Sequence, residues 1–401
     1  MKIGLITGEY PPQQGGVGDF TRELARALIA AGHDAQVITG CRKREAGCKS
    51  EDGFAVHRAV SSWGVQCWAQ VTSLASRERF DVLNIQYEPA AYAMQVGVNF
   101  LPSGWVRRKI KMPIVTTFHD LLVPYLFPKA GSLRWKVVEY LARQSDAIIV
   151  TNDEDRARLS NLQHPISNCH VIPIGSNIDP ALAGKFDRAS ERARWGIQPD
   201  EQVLGYFGFL NLSKGGADLM QTLKMLSDRG LPVKLLLIGG RTGSSDPTNA
   251  EYAAQVERLI DSLGVKDRVI ATGYLEPTEV SRVLLICDVI ILPYVDGASL
   301  RRGSLLAAIA HRRAIVTTEP SYPIDGLRHE ESIVFVPPNE PQALAEAARR
   351  LLIDTAWRTR LEVNVSEAAK LYTWDRIAAQ TARVFQQVLS TALTGHATRT
   401  P

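Results

Sequence analysis

Short apolar, β-branched runs alternate with amphipathic stretches along nearly the whole chain, and the alternation starts afresh near its middle. Lys2–Thr7 reads as a strand, Gly18–Ala31 as an amphipathic helix closed by Gly32, and Ala35–Thr39 as a second strand. Strands are expected again at Val82–Gln86, Pro113–Phe118, Ala147–Thr151 and His170–Ile174, with helices between. The second series opens with strand Gln202–Gly208, helix Gly215–Asp228 and strand Val233–Ile238. Helix Ala250–Leu263, strand Arg268–Thr272, helix Thr278–Cys287 and strand Val289–Leu292 follow. Ala314–Thr317 and Ile333–Val336 read as further strands, with helices from Pro341 and Trp374. Strands separated by helices lie parallel, with helices on both faces of the sheet. The expected class is α/β: two doubly wound parallel-sheet domains, 1–172 and 173–373, facing across a cleft that holds the ligand. Residues 391–401 read as a flexible tail.

Composition narrows the partners. With 401 residues, 45% hydrophobic and 22% charged, the chain has the balance of an ordinary globular protein large enough for two cores. Its net charge of +4 admits an acidic ligand or an anionic membrane surface but does not point to nucleic acid. The five cysteines show neither C-x-x-C spacing nor histidines at zinc-site spacing, as expected of reduced cytosolic thiols. Met1-Lys-Ile-Gly-Leu-Ile-Thr7 lacks the apolar core of a signal peptide, and no run approaches the ~18 apolar residues of a membrane span. The expectation is a cytoplasmic chain, with peripheral contact at the inner face of the cell membrane left open. The basic stretch Trp105–Lys111 could touch anionic lipid there, or be a solvated helix face.

The stretch 288–318 carries the chemistry. After strand Val289–Leu292 comes a loop holding Gly297, Ser299, Arg301, Arg302 and Gly303, and Ser304 is expected to cap the helix over Leu305–Ala310. Backbone N–H groups at such a helix start attract an anion, and arginine forks suit phosphate oxygens. A helix terminus contributes roughly 0.3–1 kcal/mol and a charge-assisted hydrogen bond about 1.5–3, so the arginines should dominate. The alternative is a solvated basic loop. Lys214, in Gly205–Gly215, stands at a helix start, where a merely structural lysine would be electrostatically misplaced.

Three other stretches stand out. Gly8–Asp19 contains Gly15, Gly16 and Gly18, but a dinucleotide fingerprint would need a glycine where Thr21 stands and an acid after the second strand. Nicotinamide binding is therefore rejected, while a phosphate facing the glycines is not. His119 and Asp120 end a strand on the rim where ligands of such sheets sit. Asp153-Glu154-Asp155 contains an Asp-x-Asp, explained by an acidic helix start rather than a metal.

Taken in order, Gly15-Gly16-Val17-Gly18, Phe118-His119-Asp120, Val171-Ile-Pro-Ile-Gly175 and Gly208-x5-Lys214-Gly215 resemble the retaining glycosyltransferases of family 4, glycosyl transferases group 1. Ala271-Thr-Gly273-Tyr274 and Cys287-Asp288-Val289 extend the likeness from about Met1 to Leu389. The resemblance implies a GT-B fold of two Rossmann-like domains, with the last helix, 374–389, crossing back to the first. It implies a hexosyltransferase-type enzyme of class EC 2.4, metal-independent and without a separate cofactor. Such an enzyme moves sugar from a nucleoside diphosphate sugar to a carbohydrate, lipid-linked or small-molecule hydroxyl. Gly15 and Gly16 would approach the donor phosphate, His119 would lie beside the sugar, and Lys214 would neutralise the diphosphate. Arg301, Arg302, Gly303 and Ser304 would complete the phosphate site, with Asp120, Asn211, Ser299 and Tyr274 as sugar or base contacts. Three positions depart from the family: Phe209 stands for an arginine, and Ser299 and Ala307 for two glutamates. Two alternatives therefore stay open, a degenerate sugar-nucleotide binder and a sugar-nucleotide epimerase.

Overall fold

The computed structural model of the chain describes residues 1–13, 15–41, 47–121, 131–162, 164–240 and 247–397. It divides into two compact units, one formed by Met1–Gly175 with the stretch from Trp374 onward, the other by Ser176–Thr373.

The first unit is built on strands β1 (Lys2–Thr7), β2 (Asp34–Gly40), β3 (Gly47–Glu51), β4 (Phe54–Val60), β5 (Val82–Tyr87), β6 (Ile114–Phe118), β7 (Ala147–Val150) and β8 (Cys169–Val171). They form one sheet in the order β3-β4-β2-β1-β5-β6-β7-β8, parallel throughout except for the β3–β4 pair. Helices α1 (Gly16–Ala30), α2 (Gln66–Glu78), α3 (Gly104–Arg107), α4 (Gly131–Gln144) and α5 (Asp153–Ser160) connect them. The second unit holds α6 (Arg188–Arg194), β9 (Gln202–Phe207), α7 (Gly216–Asp228), β10 (Val233–Ile238), α8 (Pro247–Ser262), β11 (Val269–Gly273), α9 (Pro277–Ile286) and β12 (Val289–Leu292). It continues with α10 (Gly303–Ala310), β13 (Ala314–Thr318), β14 (Val334–Val336), α11 (Pro341–Ile353) and α12 (Thr355–Ala369). Its sheet order is β11-β10-β9-β12-β13-β14, all parallel.

The apolar runs explain the sheets. Val289–Leu292 and Ala314–Thr318 are buried at every position, as central parallel strands covered on both faces must be. The buried Asp288 carboxylate fastens the second sheet to α6: it accepts from Arg188 at 2.7 Å, Arg192 at 2.6 Å and the Val203 amide at 2.7 Å. The last helix, α13 (Trp374–Ala397), packs Ile377, Ala378 and Phe385 into the first unit's core beside Phe20, Leu24 and Leu28 of α1.

Three expectations need correction. An unforeseen hairpin, β3–β4, turns at Asp52-Gly53, both at positive φ (55° and 88°). The chain after Pro341 makes two helices, because Asp354 ends α11 and its carboxylate accepts from the Trp357 amide at 2.8 Å to start α12. The supposed tail from 391 is helical through Ala397, and 398–401 lie outside the described residues.

In each sheet the strand order reverses once, between β1 and β5 and between β9 and β12. Loops leaving the carboxyl ends of strands at such a reversal diverge and leave room for a ligand.

Candidate active site

In the second unit the loops after β9 and β12 meet at the reversal and are laced together. Ser213 is the link: its carbonyl accepts from the Val295 amide at 2.9 Å, and its hydroxyl donates to Asn211 Oδ1 at 3.0 Å. Gly215, at φ 64°, caps α7, and a Cβ there would lie 1.9 Å from the Pro293 carbonyl oxygen, so only glycine allows this approach.

Lys214 is placed by that turn. Its ammonium lies over Gly208, where a Cβ would stand 2.6 Å from Nζ. Among the described residues no carboxylate pairs with it, and burial together with the nearby Arg302 pulls its pKa down to about 8. A buried cation held without a counter-ion is expensive, and a ligand anion is the partner that would relieve it.

Arg302 is differently situated. Its Nη2 donates to both oxygens of Asp296 at 2.5 Å, Nη1 donates to the Ser213 hydroxyl at 3.3 Å, and the guanidinium stacks over the Tyr294 ring at 5.0 Å. Its fork is thus already engaged by the protein. Arg301 is half-buried beside it, its amide donating to the Ser299 hydroxyl at 3.3 Å. Ser304 is not the helix cap that the sequence suggested. The cap residue is Arg302, Gly303 opens α10, and the buried Ser304 hydroxyl pairs with Tyr294 Oη at 2.7 Å. Asn211 is half-buried at the start of the Lys214 turn, whereas Tyr274, 66% exposed, follows β11. Phe209 is partly exposed and Ala307 fully buried, so neither supplies charge to the site. A cavity of about 380 Å³ opens at the carboxyl ends of β9, β10 and β11, bordered by Gly208 and Gly239 and walled by Leu210, Leu237, Val256 and Val269.

In the first unit, the start of α1 is filled by a residue the sequence reading passed over. Glu9 Oε1 accepts from the Val17 amide at 2.9 Å and from Gly18 at 3.3 Å. A Cβ on Gly15 would lie 2.1 Å from this carboxylate, whereas one on Gly16 would meet nothing within 4 Å. The anion at this helix start is the chain's own, and burial raises its pKa. A phosphate reaches the Val17 and Gly18 amides only by displacing it, whereas Gly16 stays open. The visible signal was an acid in the loop directly after β1.

His119 follows β6, with its amide donating to the Tyr87 carbonyl at 3.0 Å and its ring set edge-on to Phe20 at 4.6 Å. Enclosure by protein pushes its pKa down to about 3. Its Nε2 meets Gln86 Oε1 at 2.9 Å. Asp120 is half-buried beside it. The Asp-x-Asp segment is the start of α5: Asn152 caps it, accepting from the Asp155 amide at 2.9 Å, and Asp153 and Glu154 pair with Arg156 and Arg158.

The family comparisons agree with this architecture. Residues 15–175 match the glycosyl transferase 4-like domain, and 187–371 match the glycosyl transferases group 1 family. The chain belongs to the group 1 glycosyltransferases. An uncharacterized glycosyltransferase of Methanocaldococcus jannaschii is 23% identical over 403 residues, covering 96% of this chain and 98% of that protein. Among solved structures, sucrose-phosphate synthase from Thermosynechococcus elongatus superposes with a TM-score of 0.78 at 20% identity, over 98% of this chain and 100% of that one. Anabaena HepE, solved with UDP, gives 0.75 at 18% identity over 96% and 100%. The fold of this glycosyltransferase is GT-B. Among the described residues no helix is long and apolar enough to cross a membrane.

Proposed function

We propose that this glycosyltransferase transfers a hexosyl group from a nucleoside diphosphate sugar to an acceptor hydroxyl with retention of configuration. The observation that carries the reading is Lys214, a half-buried lysine with no carboxylate partner among the described residues, near Arg302 at the strand-order reversal of the second unit. In this reading the second unit holds the donor. Its diphosphate lies against Lys214 and Arg301, and its base enters the cavity between Gly208 and Gly239. HepE, of the same fold, was solved with UDP, which supports a nucleotide as ligand. The first unit, with His119, receives the acceptor and the transferred sugar. The bond from the anomeric carbon to the diphosphate oxygen breaks as the cations stabilise the developing charge. The acceptor oxygen then bonds to the same face, and its proton passes to the departing phosphate.

Ala307 offers nothing to grip a ribose, so affinity should rest on the diphosphate. Titration calorimetry with one base as nucleoside, monophosphate and diphosphate should show the largest step on adding the second phosphate, with nucleoside barely bound. Arg301→Ala should weaken the diphosphate by ~10–100-fold, in line with a charge-assisted hydrogen bond of about 1.5–3 kcal/mol. Arg302→Ala distinguishes which of the two forks the diphosphate engages. Equal affinities along the series would overturn the assignment.

The cations take the place of a metal in this reading, so transfer should persist in EDTA. Activity abolished by chelator and restored by Mg²⁺ or Mn²⁺ would contradict it.

A further inference from the structure

Behind His119 lies a file of buried polar side chains that the transfer reaction does not itself require. Asn84 and Gln86, two positions apart on β5, point to one face of an otherwise apolar strand, and both are wholly buried. Asn84 Nδ2 donates to the Val115 carbonyl at 3.1 Å and to the Thr117 hydroxyl at 3.0 Å. Gln86 Nε2 donates to Asn84 Oδ1, and Gln86 Oε1 faces His119 Nε2 at 2.9 Å.

The direction of this file is fixed at its far end. A backbone carbonyl can only accept, so Val115 obliges Asn84 to present its NH₂ there and its oxygen to Gln86. That oxygen obliges Gln86 to present its NH₂ to Asn84 and its oxygen to His119. Turning either amide around would set two oxygens against each other in a buried site, a costly arrangement. Gln86 Oε1 therefore requires a proton on Nε2. Burial keeps the ring neutral, so Nδ1 carries a lone pair. Among the described residues nothing donates to Nδ1, and the ring is half-buried rather than sealed.

We propose that Asn84 and Gln86 are positioning residues that lock His119 as the Nε2–H tautomer, so that its Nδ1 accepts a hydrogen bond from a hydroxyl of the bound sugar. The second half rests on the transferase reading; the first half does not. Such fixing of an imidazole by its far nitrogen is a general way to orient a histidine.

Two-bond ¹⁵N–¹H correlation spectra of the full chain, with histidines labelled and His119 assigned by its loss in His119→Phe, test the lock without any substrate. The expected result at neutral pH is a single Nε2–H tautomer. An Nδ1–H form or a mixture would overturn the proposal. Gln86→Met should release the ring into both tautomers. Asn84→Leu should scramble the tautomer from two side chains away. With a working donor, Gln86→Met should lower kcat by ~10-fold and leave the donor KM within about two-fold. A fluoro-sugar donor, unable to donate at the contacted position, should lose to the hydroxyl form in the wild type, and that preference should shrink in Gln86→Met. A locked tautomer without transfer from any donor would sink the transferase reading alone, whereas transfer without the lock would sink only the relay.

Discussion

Replacing Lys214 by methionine should weaken nucleoside diphosphate binding by ~100-fold while raising the melting temperature of the unliganded protein. Both effects have one cause. Lys214 is half-buried near Arg302 without a carboxylate among the described residues, and desolvation pulls its pKa down to about 8. An unliganded fold that holds such a charge is penalised, and methionine fills similar space without it. Ligand phosphate removes the penalty, so the variant loses a charge-assisted contact of roughly 1.5–3 kcal/mol. The sign of the pH dependence follows. Below about pH 8 the ammonium is charged and binding is strongest. As pH rises through 8 the proton leaves and affinity falls, while bound phosphate favours the charged form. Binding at pH 9 should therefore draw a proton from the buffer, read as a calorimetric enthalpy that depends on the buffer's ionisation heat. Lys214→Met should show neither the uptake nor the decline. Affinity within three-fold of wild type would remove Lys214 from the diphosphate site. The same shift acts on stability: the folded state binds its proton more weakly than the unfolded chain, so the penalty is complete below pH 8 and relieved as pH rises toward 10.5.

The two parallel sheets were legible because central strands carry unbroken apolar runs, as in Val289–Leu292 and Val233–Ile238. The β3–β4 hairpin was not, because His57 and Arg58 interrupt its run and are buried nevertheless. Arg58 donates to the Pro11 carbonyl and lies over the Tyr10 ring, and His57 meets Gln36 at 2.8 Å. Only the Asp52-Gly53 turn signalled it. At the site, the Lys214 turn could be read from its glycines and its misplaced charge. The cap of α10 could not, since whether Ser304 meets the helix amides or the Tyr294 hydroxyl depends on a residue ten positions away. The pairing of Arg302 with Asp296 was no more legible, since the loop between them sets it. Glu9 and Gln86 were overlooked because each acts across a turn or a sheet, where sequence spacing carries no sign of the partner.

His119→Ala should cut turnover by ~10²-fold and leave nucleoside diphosphate affinity within a few-fold. The ring is held by two contacts, Phe20 packed edge-on and Gln86 on Nε2, and the Tyr87 carbonyl holds the backbone. A polar group so constrained loses little on binding and can favour the transition state, and removing one positioned contact of this kind commonly costs about this much. The donor's phosphates belong to Lys214 in the other unit in our reading, which is why binding should survive. Steady-state kinetics with calorimetry on the same preparation separates the two, and loss of diphosphate binding in a folded variant would place His119 elsewhere. The pH behaviour is a second discriminator. With its pKa near 3, the ring stays neutral across any ordinary assay range, so it is not the origin of an acidic limb above pH 5. Stability behaves differently. The unfolded chain takes up this proton below about 6.5 and the folded chain refuses it down to about 3, so stability falls as pH drops through that window. His119→Ala removes this contribution, while His311, pushed down to about 4 by burial, keeps its own. Acid unfolding of the variant should thus be shallower between pH 6.5 and 4 than that of the wild type, and a steeper dependence would mean that His119 is charged in the folded state.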